Sequence, residues 1–457
     1  MDPEANHSGD NIFPIHMRLQ KRASETQGAD LSVVRAFNRR LILNYLRAQE
    51  ATTRVAIAND LGFSRATVSS IIEDLKKEGI VREGEKLHAT PKGGRRATWV
   101  HFNSNAGYVI GVDVGRAHLT MHLTNLAAET VNSWSGSFDM DRFGGKPGLE
   151  YVAEKLLDLV ASSSVTWNQV RGIGLASPGS PDPNFRMLVS PPLLNDWLHI
   201  DIPAFLRRKL KLKHYIPIYL AEDGNTGALG ESRYGKGRGV ANMVYIKVGT
   251  GIGSGLILNG QLYTGSRGVA GEIGHVLIEN SGPTCPSCGK VGCLEALAGV
   301  NAIVEDARTG KSLMEGADTT DALPTPALAS YRSELDIADV LREADEGDAA
   351  CRAALEHAGK RVGRVLGSYI LNVYNPSMLL LDGGVVRVKE HGAVRLNEIF
   401  LTALRESAEI STLPAAWAGT EILVAQLGDT AIALGAVATA IDHDKEFGIV
   451  DERERGN

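Results

Sequence analysis

The stretch YVIGVDVG at residues 108–115, an apolar run that ends in Asp and Gly, decides the fold. A second such unit, MVYIKVGTG, stands at residues 243–251. Short apolar runs closed by glycine are typical of buried strands that end in a tight turn. Because the two units lie far apart in a region of alternating strand-like and helix-like stretches, we predict a duplicated α/β architecture with a cleft between its halves.

Further elements are predicted around these two units. Strands are expected at 118–123, 172–176, 218–221, 255–258, 378–381 and 422–425, and helices near 149–162, 201–211, 296–306, 349–374, 394–408 and 430–441. Residues 309–336, rich in Thr, Ala, Asp and Pro, are expected to form an exposed insertion. The body then covers residues 104–441, and residues 442–457 form a charged tail.

Composition excludes several classes of protein. The chain has 457 residues, 43% of them hydrophobic and 22% charged, which is ordinary for a soluble globular protein. No apolar run approaches the ~18 residues that span a bilayer. Residues 1–30 are polar, lack the order of a signal peptide and are expected to be a disordered tail. Since Cys351 is the one cysteine outside a single cluster, we predict no disulfide framework and a cytoplasmic protein.

Charge is distributed unevenly. The net charge is −6, yet residues 31–101 carry +6 and residues 102–457 carry −10. A basic module on an acidic body is the electrostatic footprint of a nucleic-acid reader joined to another function. A basic solvated face is the plain alternative, so the charge needs a motif to support it.

Residues 31–103 supply that motif. Apolar spacing predicts a helix over 31–48, a second helix capped at Thr52 or Thr53 and ending near Leu61, and a third over Arg65–Glu78 after the turn Gly62-Phe63-Ser64. Ile80–Glu83 and Gly93–Val100 read as a hairpin with paired arginines at its tip. The block resembles a winged helix-turn-helix DNA-binding domain, and a generic helical hairpin is the alternative.

The residues expected to contact DNA lie on the helix starts and the wing. Small residues let the third helix enter the major groove while Arg and Thr reach base edges, and the wing arginines meet phosphates or the minor groove. The candidates are Thr53, Arg54, Ser64, Arg65, Ala66, Thr67, Ser69, Arg95 and Arg96.

A metal site is predicted between residues 274 and 295. Three of the four cysteines stand at 285, 288 and 293, ten residues after His275. Zn²⁺ prefers four such ligands in a tetrahedron, and a two-residue gap lets one turn present both sulfurs. Unrelated buried or oxidised cysteines are the alternative, but a Pro/Gly-rich loop is a poor place for core thiols. A closed set of His275, Cys285, Cys288 and Cys293 would be structural.

Four motifs in order carry a resemblance to a known family. They are VGTGIGSG at 248–255, GVAGEIGH at 268–275, the cysteine block and LDGGV at 381–385. Together they resemble the ROK family of repressors, open reading frames and kinases, which has the actin/hexokinase-like ATPase fold. The likeness runs over about 105–441, and the Gly-Gly-Arg-Arg wing is similar to that of the family's sugar-responsive regulators.

The resemblance leaves kinase and repressor to be distinguished. Kinases of the family carry an Asp-x-Gly-Gly-Thr-type first phosphate loop, and here the loop continues from Asp113 as Val-Gly-Arg116-Ala117. Side chains replace a glycine where backbone N–H groups approach phosphate, although an arginine is itself able to bind phosphate. The family's repressors commonly have this Gly-Arg form. We therefore expect no enzyme activity; the alternative is an ATP-dependent sugar kinase that carries a DNA-binding domain.

The sugar site implied by the resemblance is mixed. Asp223 matches the general base of the kinases, and Glu272, His275 and Glu295 match positions that bind further hydroxyls. Two asparagines of the family are replaced, by Glu222 and Leu193. Losing two amides changes the hydrogen-bond inventory, and the negative charge of Glu222 suits an amino sugar.

These features predict a repressor of carbohydrate genes that a sugar or amino-sugar effector releases from a double-stranded operator. A homodimer or homotetramer would present paired recognition helices. Structural Zn²⁺ is the expected cofactor, and no membrane contact is expected. A third interpretation has the body dock a protein partner and bind no small ligand.

Overall fold

The computed structural model describes residues 31–47, 49, 51–86, 97–182, 184, 186–188, 196–314, 335–390 and 393–444. They divide into two units, one ending at Ser104 and the other covering Asn105–Asp444. Several predictions fall outside the described residues, namely those for 1–30, the wing residues 87–96 with Arg95 and Arg96, Leu193, residues 315–334 of the insertion and 445–457.

The described part of the first unit contains α1 Leu31–Arg47, β1 Thr52–Thr53, α2 Arg54–Leu61, α3 Arg65–Lys77, β2 Val81–Lys86 and β3 Thr98–Phe102. The strands form one antiparallel sheet in the order β1-β3-β2. Thr53 begins α2 by accepting a hydrogen bond from the Ala56 N–H, and Ser64 begins α3 by accepting one from Thr67. Gly62 ends α2 with a φ of 67°, a conformation that favours glycine. The predicted winged helix-turn-helix is confirmed.

The second unit is built on two five-stranded sheets with the same strand order. The first runs β6-β5-β4-β7-β8 and the second β11-β10-β9-β12-β15. Their bounds are β4 Tyr108–Val114, β5 His118–Asn125, β6 Thr130–Ser137, β7 Val170–Ser177, β8 Ile218–Glu222, β9 Met243–Val248, β10 Ile252–Leu258, β11 Gln261–Tyr263, β12 Met378–Asp382 and β15 Glu421–Val424. A separate hairpin joins β13 Arg387–Glu390 to β14 Ala393–Leu396. The predicted duplication is therefore present, and we call the two halves lobe 1 and lobe 2.

Helices cover these sheets, and each lobe has its own buried core. They are α4 Met140–Phe143, α5 Gly145–Ala161, α6 Ile202–Leu210, α7 Asp223–Tyr234, α8 Leu294–Ala298, α9 Val300–Met314, α10 Ile337–Glu346, α11 Ala349–Val365, α12 Asn372–Tyr374, α13 Glu398–Ile410, α14 Pro414–Ala418 and α15 Ala431–Asp442. None of these described helices combines the length and apolar character needed to cross a bilayer.

Two helices cross between the lobes at backbone contact. Helix α7 follows the last strand of lobe 1 and packs on β9 and β10 of lobe 2, while α15 follows lobe 2 and packs on β4 and β7 of lobe 1. A Cβ added at Gly435 of α15 would lie 1.7 Å from the Thr226 carbonyl oxygen of α7. A Cβ at Gly111 of β4 would lie 1.9 Å from the Ala433 carbonyl oxygen. The lobes therefore meet through glycines that no larger residue replaces.

Three sequence predictions need correction. Helix α7 was not predicted, because its run DGNTGALG is rich in residues of low helix propensity. The helix expected at 349–374 is instead α11, a π-helical turn at Leu366–Leu371 and α12. Residues 309–314 of the expected insertion belong to α9.

Candidate functional site

Asp223 and Glu222 lie where β8 passes into α7. Asp223 is the first residue of α7, and Glu222 is its N-cap. The Glu222 carboxylate accepts hydrogen bonds from the N–H groups of Gly224 at 3.0 Å and Asn225 at 2.9 Å. Burial, and then the charges of Asp223 and Glu272, raise the pKa of Glu222 well above its usual range. Glu222 is thus committed to the helix start rather than presented as a free charge.

Glu272 joins the two lobes. Its carboxylate accepts a hydrogen bond from the Ser180 hydroxyl of lobe 1 at 3.2 Å, and Ser180 is fully buried. Its other oxygen lies 3.8 Å from Nε2 of His275. Burial raises the pKa of Glu272, and the nearby His275 and Ser180 oppose this only in part. Glu272 therefore lies where the two lobes meet, close enough to Asp223 for their charges to interact.

His275 and the three cysteines form one cluster able to hold a metal ion. Their ligand atoms all lie within 4.8 Å of one another. Cys288 Sγ is 3.5 Å from Cys293 Sγ, and Cys285 Sγ is 3.7 Å from Nδ1 of His275. Ligands of a tetrahedral zinc ion lie about 3.6–3.8 Å apart, so the residues fit that metal. Nδ1 faces the cysteines, which leaves Nε2 toward Glu272.

Burial raises the pKa of the Cys293 thiol to about 12 and also raises that of Cys285. A bound cation displaces such protons, because the thiolate is the ligand form. The cluster is closed by the turn between Cys285 and Cys288, where the Gly289 N–H donates to the Cys285 carbonyl oxygen at 2.9 Å.

Glu295 lies between the metal cluster and the second glycine turn. It accepts a hydrogen bond from the Ile252 N–H at 3.0 Å and another from the Ser287 hydroxyl. A Cβ at Gly251 would lie 2.8 Å from the same carboxylate. Glu295 therefore holds the turn at 249–251 against the loop that carries the cysteines.

The first glycine turn, between β4 and β5, is filled by a histidine. His118 Nε2 lies 2.9 Å from Oδ2 of Asp113, and a Cβ at Gly115 would lie 2.1 Å from the His118 ring. The carbonyl oxygens of Arg116 and Ala117 accept hydrogen bonds from Met140 and Phe138. The His118 ring therefore lies against Gly115, and the two carbonyl bonds tie the turn to Phe138 and Met140.

Sequence reasoning missed Ser180, His118 and Lys247. Ser180 and His118 act through contacts that spacing along the chain does not reveal. Lys247 gave a usable signal, since a single charged residue inside the apolar run MVYIKV is unusual in a buried strand. Its ammonium lies 3.6 Å from the Asp223 carboxylate.

The described candidate DNA-binding residues of the first unit lie at the starts of α2 and α3. Arg65 and Ala66 are exposed at the start of α3, and Thr67 and Ser69 are half-buried beside them. The hydroxyls of Ser64 and Thr67 lie 2.8 Å apart and cap the helix. Thr53 caps α2 in the same way.

Arg54, the first residue of α2, forms two ion pairs within the first unit. Its guanidinium binds Glu73 of α3 at 2.5 Å and Glu83 of β2 at 2.7 Å. It therefore joins the helices to the wing sheet, and the carboxylates largely neutralise its charge.

Comparison with known proteins assigns the chain to a family. The family model described as ROK family matches residues 109–443, and the model for winged helix-turn-helix DNA-binding matches residues 38–82. The chain belongs to the ROK family. The predicted resemblance and fold are confirmed.

Relatives of this ROK protein include both repressors and kinases. The xylose repressor of Caldicellulosiruptor bescii is 27% identical over 91% of this chain and 98% of its own length. The glucokinase of Halalkalibacterium halodurans is 29% identical over 72% of this chain and 93% of its own length. A solved ROK family transcriptional regulator, homologous to the E. coli MLC protein, has a TM-score of 0.70 at 20% identity and covers 88% of this chain and 95% of its own, which shows the shared fold.

Proposed function

We propose that this protein is a sugar-responsive transcriptional repressor. The observation that carries the proposal is the joining of the two units. A winged helix-turn-helix with an exposed Arg65 at the start of α3 precedes a ROK body, and the alignment with a xylose repressor runs through both. A homodimer would place two α3 helices in major grooves about 34 Å apart. Its place of action is the cytoplasm, where a bacterial operator lies.

DNA recognition is assigned to α3 and the wing. Arg65, Ala66, Thr67 and Ser69 are placed to meet base edges, while Ser64 and Thr53 supply helix starts whose N–H groups suit phosphates. Arg95 and Arg96 are proposed to bind phosphate from the wing tip. Arg54 supports this surface through Glu73 and Glu83 and does not bind DNA directly.

The effector site is assigned to the cleft between the lobes. Asp223, Glu272 and His275 Nε2 face one another there and are able to accept or donate hydrogen bonds to sugar hydroxyls. Glu295 acts from behind, by fixing the turn at 249–251. The Glu222 carboxylate already accepts hydrogen bonds from two backbone N–H groups, so it is not available to a cationic amino group. A neutral sugar therefore fits the site better than the amino sugar predicted from the sequence.

The Ser180–Glu272 hydrogen bond is a contact between the lobes on which a bound sugar would act. A sugar hydroxyl that takes the place of Ser180 at Glu272 would change the contact that spans the lobes. Such a ligand shifts the equilibrium between two arrangements only through its different affinity for each, typically about 1–3 kcal/mol of coupling.

Zinc is proposed as a structural ion held by His275, Cys285, Cys288 and Cys293. When bound it would hold the loop and fix the His275 ring so that Nε2 stays toward Glu272. The ROK kinase reaction is not proposed, because Arg116, Ala117 and the His118 ring occupy the first phosphate loop.

Fluorescence anisotropy tests the proposal. Full-length protein is titrated onto DNA from upstream of its own gene and onto a scrambled duplex, with and without xylose and a panel of neutral and amino sugars. We expect specific binding that one sugar abolishes. Arg65→Ala should reduce discrimination between the duplexes by about 1–3 kcal/mol. Asp223→Asn should keep DNA binding and lose the sugar response, while the exposed Asp158→Asn keeps both.

Three results would count against the proposal. Equal, weak binding to both duplexes would remove the repressor assignment for that operator. Specific binding indifferent to every sugar would favour a protein partner of the body. ATP-dependent phosphorylation of a sugar by the wild-type protein would support the kinase alternative.

A further inference from the structure

Lys247 lies at the centre of lobe 2 and points toward the crossing helix α7. It stands on β9, flanked by Gly253 of β10 and Asp382 of β12 in the sheet register. Its side chain is 23% exposed, and its ammonium is 3.6 Å from the carboxylate of Asp223 at the start of α7. A lysine in this place is a cation held inside the protein, not a solvated surface charge.

Two further carboxylates, one from each lobe, act on this ammonium through their charge. Asp113 is the residue before the last of β4 in lobe 1 and is 1% exposed, while Asp382 ends β12 of lobe 2. Burial alone lowers the pKa of Lys247, but the charges of Asp223, Asp113 and Asp382 outweigh it and the pKa is raised. Lys247 is therefore charged; it forms an ion pair with Asp223 and interacts with the charges of Asp113 and Asp382 over longer distances.

The other partners of these carboxylates do not complete their neutralisation. Asp382 accepts a hydrogen bond from the Tyr245 hydroxyl at 3.0 Å and lies 3.8 Å from Arg387. Asp113 meets His118 through Oδ2, but its buried Oδ1 has no hydrogen-bond partner among the described residues. An unpartnered buried carboxylate oxygen is costly and attracts a cation.

Carboxylates converging at the ends of strands are the ligands that Mg²⁺ uses to bring nucleotide phosphates into a cleft. We propose that Lys247 is a built-in cation that takes the charge Asp113, Asp223 and Asp382 would otherwise give to a divalent metal, and so excludes a metal–nucleotide complex from the cleft. The inference rests on the proposed function as a regulator. It adds that the effector sugar binds without nucleotide because of this residue.

Removal of the charge tests the assignment. Full-length protein is first saturated with Zn²⁺ at the cysteine cluster, and Mn²⁺ binding is then followed by electron paramagnetic resonance. Mn²⁺ prefers oxygen ligands and leaves thiolates to zinc. Lys247→Met should bind one Mn²⁺ per chain at least tenfold more tightly than the wild type. Lys236→Met is the matched control, since the exposed Lys236 ammonium donates to the Val424 carbonyl oxygen instead, and it should behave as the wild type.

Thermal unfolding is the second measurement, and it is informative even if Lys247→Met folds poorly. If the unpaired carboxylates are the cause, Lys247→Met combined with Asp223→Asn should melt at a higher temperature than Lys247→Met alone. The proposal is overturned if the wild type binds Mn²⁺ as tightly as a folded Lys247→Met, if that variant gains no site, or if the double variant is no more stable. Operator binding, and its release by sugar, are measured on the same samples. They test the proposed function as a regulator, whereas Mn²⁺ binding tests the role of Lys247, so failure of one is distinguishable from failure of the other.

Discussion

Two glycine turns occupy equivalent places in the two sheets of the body. One, at residues 115–117, joins β4 to β5 in lobe 1, and the other, at residues 249–251, joins β9 to β10 in lobe 2. The first has the sequence Gly-Arg-Ala at residues 115–117, whereas the second has Gly-Thr-Gly at residues 249–251. Yet both are held by a side chain of this same body, His118 in the first and Glu295 in the second.

Glycines in such a turn serve close packing as well as phosphate binding. In the second turn the Ile252 N–H donates to Glu295, and the Gly249 carbonyl oxygen accepts from Val300 at the start of α9. The glycines therefore have a structural role, because they allow the turn to approach α8 and α9 closely enough to form these bonds. What surrounds a turn, rather than its sequence, decides whether its N–H groups are available.

The largest effect is expected from the metal cluster, because it holds Glu295 and through it the second turn. Cys288→Ser should lose bound zinc and lower the free energy of unfolding by about 4 kcal/mol or more, as loss of a structural metal does. Zinc content and thermal unfolding measure this. Hydrogen exchange should rise at residues 249–252 and stay unchanged at 115–117.

The matched control is Cys351→Ser, since Cys351 is buried in α11 outside the metal cluster. It should keep its zinc and its exchange pattern. Equal acceleration at both turns after Cys288→Ser would show that the two turns are not held independently.

Glu295→Gln should weaken the contact between the second turn and the cysteine loop, with a smaller loss of stability than Cys288→Ser. The amide keeps one acceptor for Ile252 and loses the charge that meets Ser287, so a loss of about 1.5–3 kcal/mol is expected. Chemical denaturation measures the free energy of unfolding. Hydrogen exchange at the Ile252 N–H shows whether the loss of stability arises at this contact. Retained zinc with faster exchange at Ile252 is the expected pattern; an unchanged exchange rate would contradict the role of Glu295.

His118→Ala tests the first turn. Removing the ring leaves Asp113 buried with neither oxygen hydrogen-bonded, which should cost about 1–3 kcal/mol. No nucleotide binding should appear in calorimetry with a non-hydrolysable ATP analogue, because Arg116, Ala117 and Lys247 remain. Nucleotide binding by this variant would show that the ring alone closes the site.

The sequence predicted local features better than distant ones. The cysteine cluster was predictable because ligand spacing along one loop sets its geometry, and β9 at Met243–Val248 because a buried strand reads as an apolar run. Helix α7 was not, since its stability comes from packing against α15 and not from propensity.

Missing that helix also concealed two contacts of the candidate site. Glu222 was interpreted as a free charge because an N-cap is recognisable only once the helix start is known. Ser180 and Glu272 are separated by 92 residues, and no periodicity links them. Contacts that depend on how the lobes meet therefore required the structure.

An effect that appears only as a pH dependence is expected at Glu222, the N-cap of α7. Its folded pKa is raised above the usual 4.5, so the folded protein holds a proton that the unfolded chain releases. The free energy of unfolding then falls as the pH rises above about 4.5, by up to about 1.4 kcal/mol per pH unit for one proton. Glu222→Asn keeps a favoured cap without a titrating group, so its stability should fall less steeply between pH 5 and pH 7. Denaturant melts of both proteins across that range give the two slopes, and parallel slopes would mean that Glu222 is ionised in the fold and that Asp223 and Glu272 tolerate its charge.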